Sequence, residues 1–350
     1  MLYFNCDYNE GAHPRLMEAL MKTNMEQTIG YGEDPYCEAA ARVIRDLCKG
    51  EPDVHFLVGG TQTNLTVISA ALRPYQSVLC AQQGHIHVHE TGAIEAVGHK
   101  VVPLPSRDGK LTAEQVRQTV RGHREDGARE HTPQPKMVYI TMASELGAVY
   151  TKSELEAIHA VCRELDLILF LDGARLGYGL CDPACDLDLE ALTALCDVFY
   201  IGGTKQGALF GEAVVITNQA LKTDFRYLIK QKGGLLAKGR LLGIQFFELF
   251  RDGLYFELAS HANGLAAKLR ETFAELGYEM PVESGTNQIF VALPDSLLER
   301  LESSYVFDYN HPAGEGYSLV RFCTSWGTKE ENVVQLIEDL RRLSGQLTEG

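Results

Sequence analysis

Short apolar runs alternate with helical patterns along much of the chain, and this alternation is the feature that most restricts the fold. Between about residue 50 and residue 217, the apolar runs predict seven strands, at 54–58, 77–81, 100–104, 137–141, 167–171, 198–201 and 213–217. Helical patterns fit between them at 61–72, 112–121 and 151–165, the last opening on a T-x-x-E capping pattern. The alternation predicts an α/β fold in which helices sandwich a mainly parallel central sheet.

The alternation of short apolar runs and helical patterns ends before Gly234, and a different pattern follows it. This change predicts a second, smaller domain. A continuous helical pattern from residue 241 to residue 276 leads to two candidate strands, at 287–293 and 318–323, and a terminal helix. We expect a large α/β domain at 15–240 and a small α+β domain at 241–350, joined by the long helix. Residues 1–14 are expected to pack near the small domain.

The charge and composition of the chain argue against several classes of function. A formal net charge of −15 argues against nucleic-acid binding, which needs a clustered basic surface. The first 15 residues lack a basic stretch followed by an apolar one, and charges interrupt the apolar run at 235–250, so we expect neither a leader nor a membrane span. Nine scattered cysteines without a CxxC pair indicate reduced thiols in a cytoplasmic protein.

Two blocks, FLDGARLG at 170–177 and YIGGTKQGALFGEAVV at 200–215, carry the strongest chemical signal. In the first, an apolar strand ends in Asp172, at the edge where open α/β sheets bind ligands. In the second, Lys205 follows two glycines beyond the next strand, where a lysine amine can form an imine. Taken alone, Asp172 is more often a helix cap and Lys205 an exposed loop lysine. Together they favour pyridoxal phosphate, whose protonated ring nitrogen needs an anionic partner.

Two further segments fit the same cofactor. A Gly-Gly-Thr turn at 59–61 joins a strand to a helix, where free amides and a hydroxyl can hold a phosphate. His85, His87 and His89 alternate, and on a strand all three would lie on one face. Because no carboxylate or cysteine completes an obvious set of ligands, we expect no metal there. We assign His85 to stacking over the cofactor ring.

These motifs resemble the low-specificity L-threonine aldolases, which belong to the aspartate-aminotransferase superfamily of fold type I pyridoxal-phosphate enzymes. The resemblance covers most of the chain and rests on YGEDP at 31–35, GGTQTN at 59–64, GHIHVHETGA at 84–93, LDGARLG at 171–177, TKQGALFG at 204–211 and VRFCTSW at 320–326. It implies that Lys205 carries the cofactor as a Schiff base and that Asp172 pairs with the pyridinium nitrogen. Gly60 and Thr61 would hold the phosphate, and His85 would stack on the ring.

The substrate side of the predicted site matches the family less completely. Arg175 and Arg321 match the substrate-carboxylate arginines, whose planar guanidinium binds a carboxylate bidentately. Tyr31 matches a tyrosine near the active site, whereas Cys6 stands where the family has a serine. MASEL at 142–146 replaces an ENTHN stretch, so Glu145 stands in place of a histidine near the substrate hydroxyl. These two departures predict an altered aldehyde specificity.

The resemblance implies a lyase that cleaves a β-hydroxy-α-amino acid, such as L-threonine or L-allo-threonine, to glycine and an aldehyde. The predicted catalytic residues are Lys205, His85 and Glu145, with His85 or Glu145 as the base that removes the hydroxyl proton. The alternatives are a β-eliminating lyase or an aminotransferase on the same cofactor, or a cofactor-binding protein without catalysis. The resemblance also implies a homotetramer or homodimer with shared active sites, in which the Gly233–Gly234 loop reaches the neighbouring subunit's cofactor.

Overall fold

The computed structural model describes residues 1–348. The strands of these residues are β1 (Leu2–Tyr3), β2 (Asp53–Leu57), β3 (Gln76–Ala81), β4 (Lys100–Leu104), β5 (Gln134–Thr141), β6 (Ile168–Asp172), β7 (Val198–Gly202), β8 (Glu212–Ile216), β9 (Gln288–Pro294), β10 (Tyr305–Val306), β11 (Asp308–Gly314) and β12 (Tyr317–Cys323). The helices are α1 (Pro14–Lys22), α2 (Pro35–Cys48), α3 (Gly60–Ala71), α4 (His85–Val88), α5 (Ala93–Ala96), α6 (Ala113–Glu125), α7 (Lys152–Glu164), α8 (Leu176–Leu180), α9 (Leu189–Leu195), α10 (Gln219–Lys222), α11 (Phe225–Gln231), α12 (Arg240–Phe250), α13 (Leu254–Glu275), α14 (Asp295–Leu301) and α15 (Glu330–Thr348). None of these helices combines the length and the hydropathy needed to span a membrane.

The central sheet has seven strands in the order β2-β8-β7-β6-β5-β3-β4. Strands β7, β6, β5, β3 and β4 run parallel, and β8 runs antiparallel to both of its neighbours. The predicted α/β class with a mainly parallel sheet is confirmed. Thr141 lies opposite Asp172, and Gly202 lies opposite Glu212. One edge of the sheet therefore collects the ends of β5, β6 and β7 and the beginning of β8.

Buried side chains cover both faces of this sheet. Along β6, Leu169 and Leu171 pack into one core cluster and Phe170 into the other. Since a parallel strand covered by helices on both faces needs apolar side chains on both, its sequence reads as a continuous apolar run. This burial explains why the seven strands were predicted within three residues of their observed bounds.

A separate core cluster lies among β9, β12, α13, α14 and α15, and it includes Phe4 from the amino-terminal segment. Strands β11, β12 and β9 form an antiparallel sheet, while β1 pairs in parallel with β10. The domain bounds at residues 240 and 241 stay a prediction.

The single helix predicted for residues 241–276 is wrong, because the chain forms α12 and α13 with a break between them. Gly253 interrupts the helical path with a φ of 79°. This left-handed conformation is readily adopted by glycine and strains residues that carry a Cβ. The helical periodicity on both sides was read correctly, but the glycine ends one helix and begins the next.

The three histidines do not form a strand, because the backbone forms the short helix α4. Gly84 turns the chain after β3, and a Cβ there would lie 2.9 Å from the carbonyl oxygen of Ala81. The His89 N–H donates to the His85 carbonyl at 2.9 Å, which closes one helical turn. Since successive helical residues are rotated by about 100°, His87 lies on a different side of this turn from His85 and His89, whose ring centres are 5.5 Å apart.

Candidate active site

A cavity of about 1130 Å³ opens at the edge of the sheet where β5, β6 and β7 end. Eight of the residues predicted from the sequence line it, namely Gly60, Thr61, His85, Glu145, Asp172, Arg175, Lys205 and Arg321. Tyr31 and Cys6 lie outside its wall. The fold therefore brings together the predicted lysine, carboxylates, histidine and arginines from segments far apart in the sequence.

Asp172 is buried at the cavity, and four donors hold its carboxylate. Oδ1 accepts hydrogen bonds from the Tyr200 hydroxyl at 2.5 Å and the Ala174 amide at 2.9 Å. Oδ2 accepts from the Tyr139 hydroxyl at 2.5 Å and the Asn64 amide at 3.0 Å. Burial, followed by the charge of Asp172, raises the pKa of both tyrosines well above the usual value, so both hydroxyls remain donors. The carboxylate is thus fixed in one orientation, as a partner for a cationic heterocycle must be.

Lys205 is partly buried and lines the same cavity. Burial, followed by the charge of Arg175, lowers the pKa of its amine. Its carbonyl oxygen accepts a hydrogen bond from the Tyr178 hydroxyl at 2.5 Å, which anchors the backbone. A lowered pKa increases the fraction of neutral amine, which is the form that attacks a carbonyl carbon.

His85 is oriented by two carboxylates. Its Nδ1 lies 2.7 Å from Glu90 Oε1, which also accepts a hydrogen bond from Asn64 at 2.7 Å. Its backbone N–H donates to Glu145 Oε1 at 2.7 Å. Because an ionised carboxylate only accepts hydrogen bonds, Nδ1 carries a proton and the lone pair of neutral His85 is on Nε2.

Glu145 is partly buried and lines the cavity. Besides the His85 amide, it accepts a hydrogen bond from the Thr141 hydroxyl at 2.9 Å. Burial raises the pKa of its carboxyl, and the charge of Asp172 adds to this effect. Glu145 therefore supports the first turn of α4, and its raised pKa makes it easier to protonate than an exposed glutamate.

The Gly-Gly-Thr turn forms the beginning of α3, at the cavity wall. Gly59 precedes the helix, and Gly60 is its first residue. A Cβ on Gly59 would meet nothing within 4 Å, whereas one on Gly60 would lie 3.1 Å from the Tyr200 hydroxyl oxygen. The unpaired amides of a first helical turn and the Thr61 hydroxyl suit a phosphate group.

Arg175 is held by a carboxylate that the sequence did not identify. Its Nε and Nη2 donate to Asp7 Oδ2 and Oδ1 at 2.7 and 3.0 Å. Asn287 also donates to Asp7, at 2.9 Å. Burial alone would raise the pKa of Asp7, but the charges of Arg175 and Lys205 bring it below the usual value. The pair leaves Nη1 of Arg175 available to a substrate carboxylate.

Arg321 reaches the cavity from β12. Its Nη1 donates to Gln288 at 3.1 Å, and Nη2 donates to the Asn5 carbonyl at 3.1 Å. Asp308 forms an ion pair with the same Nη2 at 2.9 Å. Arg175 lies between β6 and α8, Arg321 lies in β12, and both line one cavity, which is the arrangement that fixes a carboxylate from two directions.

Tyr31 and Cys6 are placed differently from the other predicted residues. Tyr31 is 45% exposed, and its ring lies under Lys230 Nζ, which is 4.8 Å from the ring centre. Cys6 is buried and donates to Asn9 at 3.2 Å, while the nearby Tyr8 lines the cavity instead. The substrate-binding roles of Tyr31 and Cys6 stay predictions.

Comparisons with known proteins agree with this geometry. The family model described as beta-eliminating lyase matches residues 7–296. A low-specificity L-threonine aldolase of a Pseudomonas species is 35% identical over 97% of this chain and 96% of that protein. The corresponding protein of Pseudomonas aeruginosa is 33% identical over 98% of both chains.

The chain belongs to the threonine aldolases of the β-eliminating lyase family. A solved threonine aldolase of Leishmania major is 46% identical, with a TM-score of 0.96 over 98% of this chain and all of that one. An aspartate aminotransferase of Thermus thermophilus, 16% identical, has a TM-score of 0.72 over 98% of this chain and 91% of its own, and it supports the fold alone. The chain is thus a pyridoxal-phosphate-dependent lyase of fold type I.

The residues of this threonine aldolase fit the cofactor. The turn at Gly59 and Gly60 offers free amides to a phosphate, with open space at Gly59, and Asp172 offers an oriented carboxylate to a ring nitrogen. Lys205, with its lowered pKa, lines the same cavity. The predicted cofactor is therefore matched by the chemistry of the donor set.

Several residues that complete this site were not predicted from the sequence: Asp7, Tyr8, Asn64, Glu90, Tyr139, Tyr200 and Glu212. Four of these residues lie inside the motifs that were singled out, so their position in those motifs was the available signal: Asn64, Glu90, Tyr200 and Glu212. Asp7 and Tyr139 lie outside them and become visible only through their contacts.

Proposed function

We propose that this enzyme cleaves L-threonine and L-allo-threonine to glycine and acetaldehyde. The observation that carries the proposal is the shared cavity of Lys205, Asp172 and His85, which also contains the two arginines. The names of the Pseudomonas and Leishmania relatives support the same substrate class. Glu145 and Cys6 differ from the residues expected in the family motifs. Because of these two differences, we expect aldehydes other than acetaldehyde as additional products.

Each part of the site has a task in this reaction. When bound, pyridoxal phosphate supplies an electron sink for the electron pair of the broken Cα–Cβ bond. Arg175 and Arg321 bind the substrate carboxylate and thereby select the bond that lies perpendicular to the ring plane. Lys205 would hold the cofactor through its side-chain amine, and Asp172 would hold the ring nitrogen.

The contacts favour His85 over Glu145 as the base. The Glu90 contact fixes the protonated nitrogen of His85, so that Nε2 can accept the proton of the Cβ hydroxyl either directly or through a water. Both carboxylate oxygens of Glu145 already accept hydrogen bonds. After the hydroxyl proton has left, the carbonyl of the aldehyde forms, the Cα–Cβ bond breaks, and a proton returned to Cα gives glycine.

β-Elimination is the second candidate, because the matching family model carries that description. Elimination from threonine would release a keto acid and ammonia, whereas transamination would consume a second keto acid. Purified protein with added cofactor is therefore incubated with L-threonine or L-allo-threonine, and glycine, acetaldehyde, keto acid and ammonia are quantified. We expect equal amounts of glycine and acetaldehyde. A keto acid with ammonia as the main products would contradict the aldolase proposal.

We also propose a homotetramer or homodimer whose active sites are shared. Support comes from exposed apolar side chains, among them Met21, Met25 and Tyr227, which are 73%, 89% and 75% exposed. Arg226 donates to the Tyr31 carbonyl at 3.1 Å and joins two segments of this surface. Tyr31 lies outside the cavity of its own subunit, which is consistent with a role in the active site of a neighbouring subunit.

Mixed oligomers test this shared arrangement. Lys205→Ala chains are co-expressed with Tyr31→Ala chains, so that a hybrid dimer contains one site with both residues intact. Sites built from two subunits would recover up to about a quarter of wild-type turnover in the mixture. Activity no greater than the sum of the separate variants, although hybrids have formed, would show that each chain uses its own Tyr31.

A cytoplasmic location is part of the proposal. The nine cysteines, all within the described residues, are free thiols, which suits a reducing compartment. Cell fractionation followed by immunodetection checks the location, and recovery with a secreted or membrane fraction would contradict it.

A further inference from the structure

The two arginines proposed to bind the substrate carboxylate each already face a carboxylate of this chain. Asp7 accepts two hydrogen bonds from Arg175, and the Asp7 side chain is fully buried. Asp308 Oδ2 lies 2.9 Å from Nη2 of Arg321, and the Asp308 side chain is 49% exposed. The first pair is thus part of the protein interior, whereas the second borders on water.

Contacts other than the one with Asp308 hold the guanidinium of Arg321 in place. Nη1 donates to Gln288, which is completely buried, and Nη2 donates to the backbone carbonyl of Asn5. These two contacts use two of the five N–H groups of the arginine. Within residues 1–348, Asp308 is the only carboxylate that forms an ion pair with Arg321. Loss of this carboxylate would therefore leave the guanidinium positioned but without a counter-ion.

Strand β11 brings Asp308 to Arg321. The Cα atoms of the two residues lie opposite each other in the antiparallel pair of β11 and β12. Phe307, which precedes β11, is buried, and its ring centre lies 5.2 Å from that of Phe322. All residues of β11 itself are exposed. The backbone at Asp308 is thus anchored to the core, while the exposed side chain can turn away from the arginine.

Asp308 lines the same cavity as Lys205 and the two arginines, and none of the steps proposed above uses it. An amino-acid substrate brings its own carboxylate to Arg321, and two carboxylates at one guanidinium repel each other. Substrate binding therefore replaces one ion pair of Arg321 with another. The free energy gained at this arginine is only the difference between the two pairs.

We propose that Asp308 competes with the substrate carboxylate for Arg321 and thereby limits the affinity of the enzyme for amino acids. The inference rests on the proposed role of Arg321. In the empty site Asp308 pairs with the arginine, and in the occupied site the substrate takes its place while the Asp308 side chain turns to water. Asp308 thus acts through Arg321 on affinity alone, and the same competition favours release of glycine, the proposed product.

Equilibrium binding of glycine to the cofactor-loaded enzyme tests the proposal without turnover. The change in visible absorption reports binding to wild type and to Asp308→Asn, a variant that removes the charge and keeps the size of a half-exposed side chain. Because a half-exposed ion pair contributes little free energy, we expect the Kd for glycine to fall about two- to fivefold in the variant. Glycinamide has the same amine but no carboxylate, so its Kd should be unchanged.

Two further variants serve as controls. Glu315→Gln removes one negative charge from the turn between β11 and β12. Glu315 is exposed and lies outside the cavity wall, so the Kd for glycine should match that of wild type. Asp308→Glu keeps the charge on a longer side chain, and it should also bind glycine as wild type does.

Steady-state kinetics with L-threonine give a second readout. The competing carboxylate has left Arg321 both in the substrate complex and in the transition state, so its removal changes the two free energies equally. The KM of Asp308→Asn should therefore fall by the same factor as the Kd for glycine, and kcat should be unchanged. A residue that positions Arg321 for catalysis would instead lower kcat when it is replaced.

Three results would overturn the proposal. An unchanged or raised Kd for glycine in Asp308→Asn would mean that the ion pair supports the site and does not compete with the substrate. An equal fall in Kd for glycine and glycinamide, or an equal fall in Glu315→Gln, would mean that the effect does not act through the carboxylate at Arg321. Tighter glycine binding by an Asp308→Asn enzyme that does not cleave threonine would leave this inference standing and reject only the aldolase proposal.

Discussion

Asp7→Asn is expected to destabilise the cofactor-free protein strongly, because it removes one partner of a buried ion pair. The Asp7 side chain is fully buried, the Arg175 side chain is 11% exposed, and two charge-assisted hydrogen bonds of 2.7 and 3.0 Å join them. Loss of one partner from such a pair costs about 3–5 kcal/mol. The asparagine keeps one acceptor oxygen and Arg175 faces the cavity, so we expect the lower end, about 3 kcal/mol.

Urea unfolding measures this effect, with the single tryptophan, Trp326, as the fluorescent reporter. The double variant Asp7→Asn/Arg175→Met removes both charges and leaves neither unpaired. It is therefore expected to regain at least half of the lost free energy of unfolding. If the double variant were as unstable as the sum of the single variants, the ion-pair argument would be refuted.

The difference in the free energy of unfolding between wild type and Asp7→Asn also depends on pH, which gives an independent check. The pKa of Asp7 is lower in the folded protein than in the unfolded chain, so its contribution is complete above the unfolded pKa of about 3.9. It is lost as the pH falls through the folded pKa. The stability gap between wild type and Asp7→Asn should stay constant near neutral pH and shrink in acid. A gap that widens in acid would contradict the assigned pKa shift.

Two further predictions concern the chemistry. His85→Asn should lower turnover, measured as glycine release, by at least about a hundredfold, and Glu145→Gln should lower it by clearly less. Near-normal turnover in both variants would mean that neither residue is the base. Tyr139→Phe and Tyr200→Phe each remove one donor from Asp172, which should lower cofactor affinity in equilibrium titrations by about tenfold. Unchanged affinity in both tyrosine variants would show that the donors do not hold the carboxylate in its functional position.

Local patterns were sufficient to predict most of the central sheet. Each strand is a short apolar run covered on both faces, and Thr151 and Glu154 form the predicted capping box at the beginning of α7. Two departures from the simple patterns arose where a single glycine changes the path of the chain. Gly253 breaks a continuous helical pattern, and Gly84 lets the histidine segment turn into a helix. A periodic pattern alone contains no information about such turns.

The site was predictable only where its residues lie in local motifs. Lys205 and Asp172 follow strands that end at the same edge, so sequence order was enough to place them together. The Asp7–Arg175 pair joins residues 168 positions apart, and the Tyr139 contact with Asp172 depends on strand register. The antiparallel insertion of β8 between β2 and β7 places Glu212 at the cavity, and no local pattern indicates that strand order.

The most direct test of the central claim is to locate the cofactor and follow the reaction in one preparation. Borohydride reduction fixes the cofactor to the lysine that carries it, and peptide mass spectrometry then identifies that lysine. The label is expected on Lys205, and Lys205→Ala should lose both the label and the release of glycine from L-threonine. Lys152→Ala, which changes an exposed lysine, should keep both. A label on another lysine, or glycine release that survives in Lys205→Ala, would contradict the account.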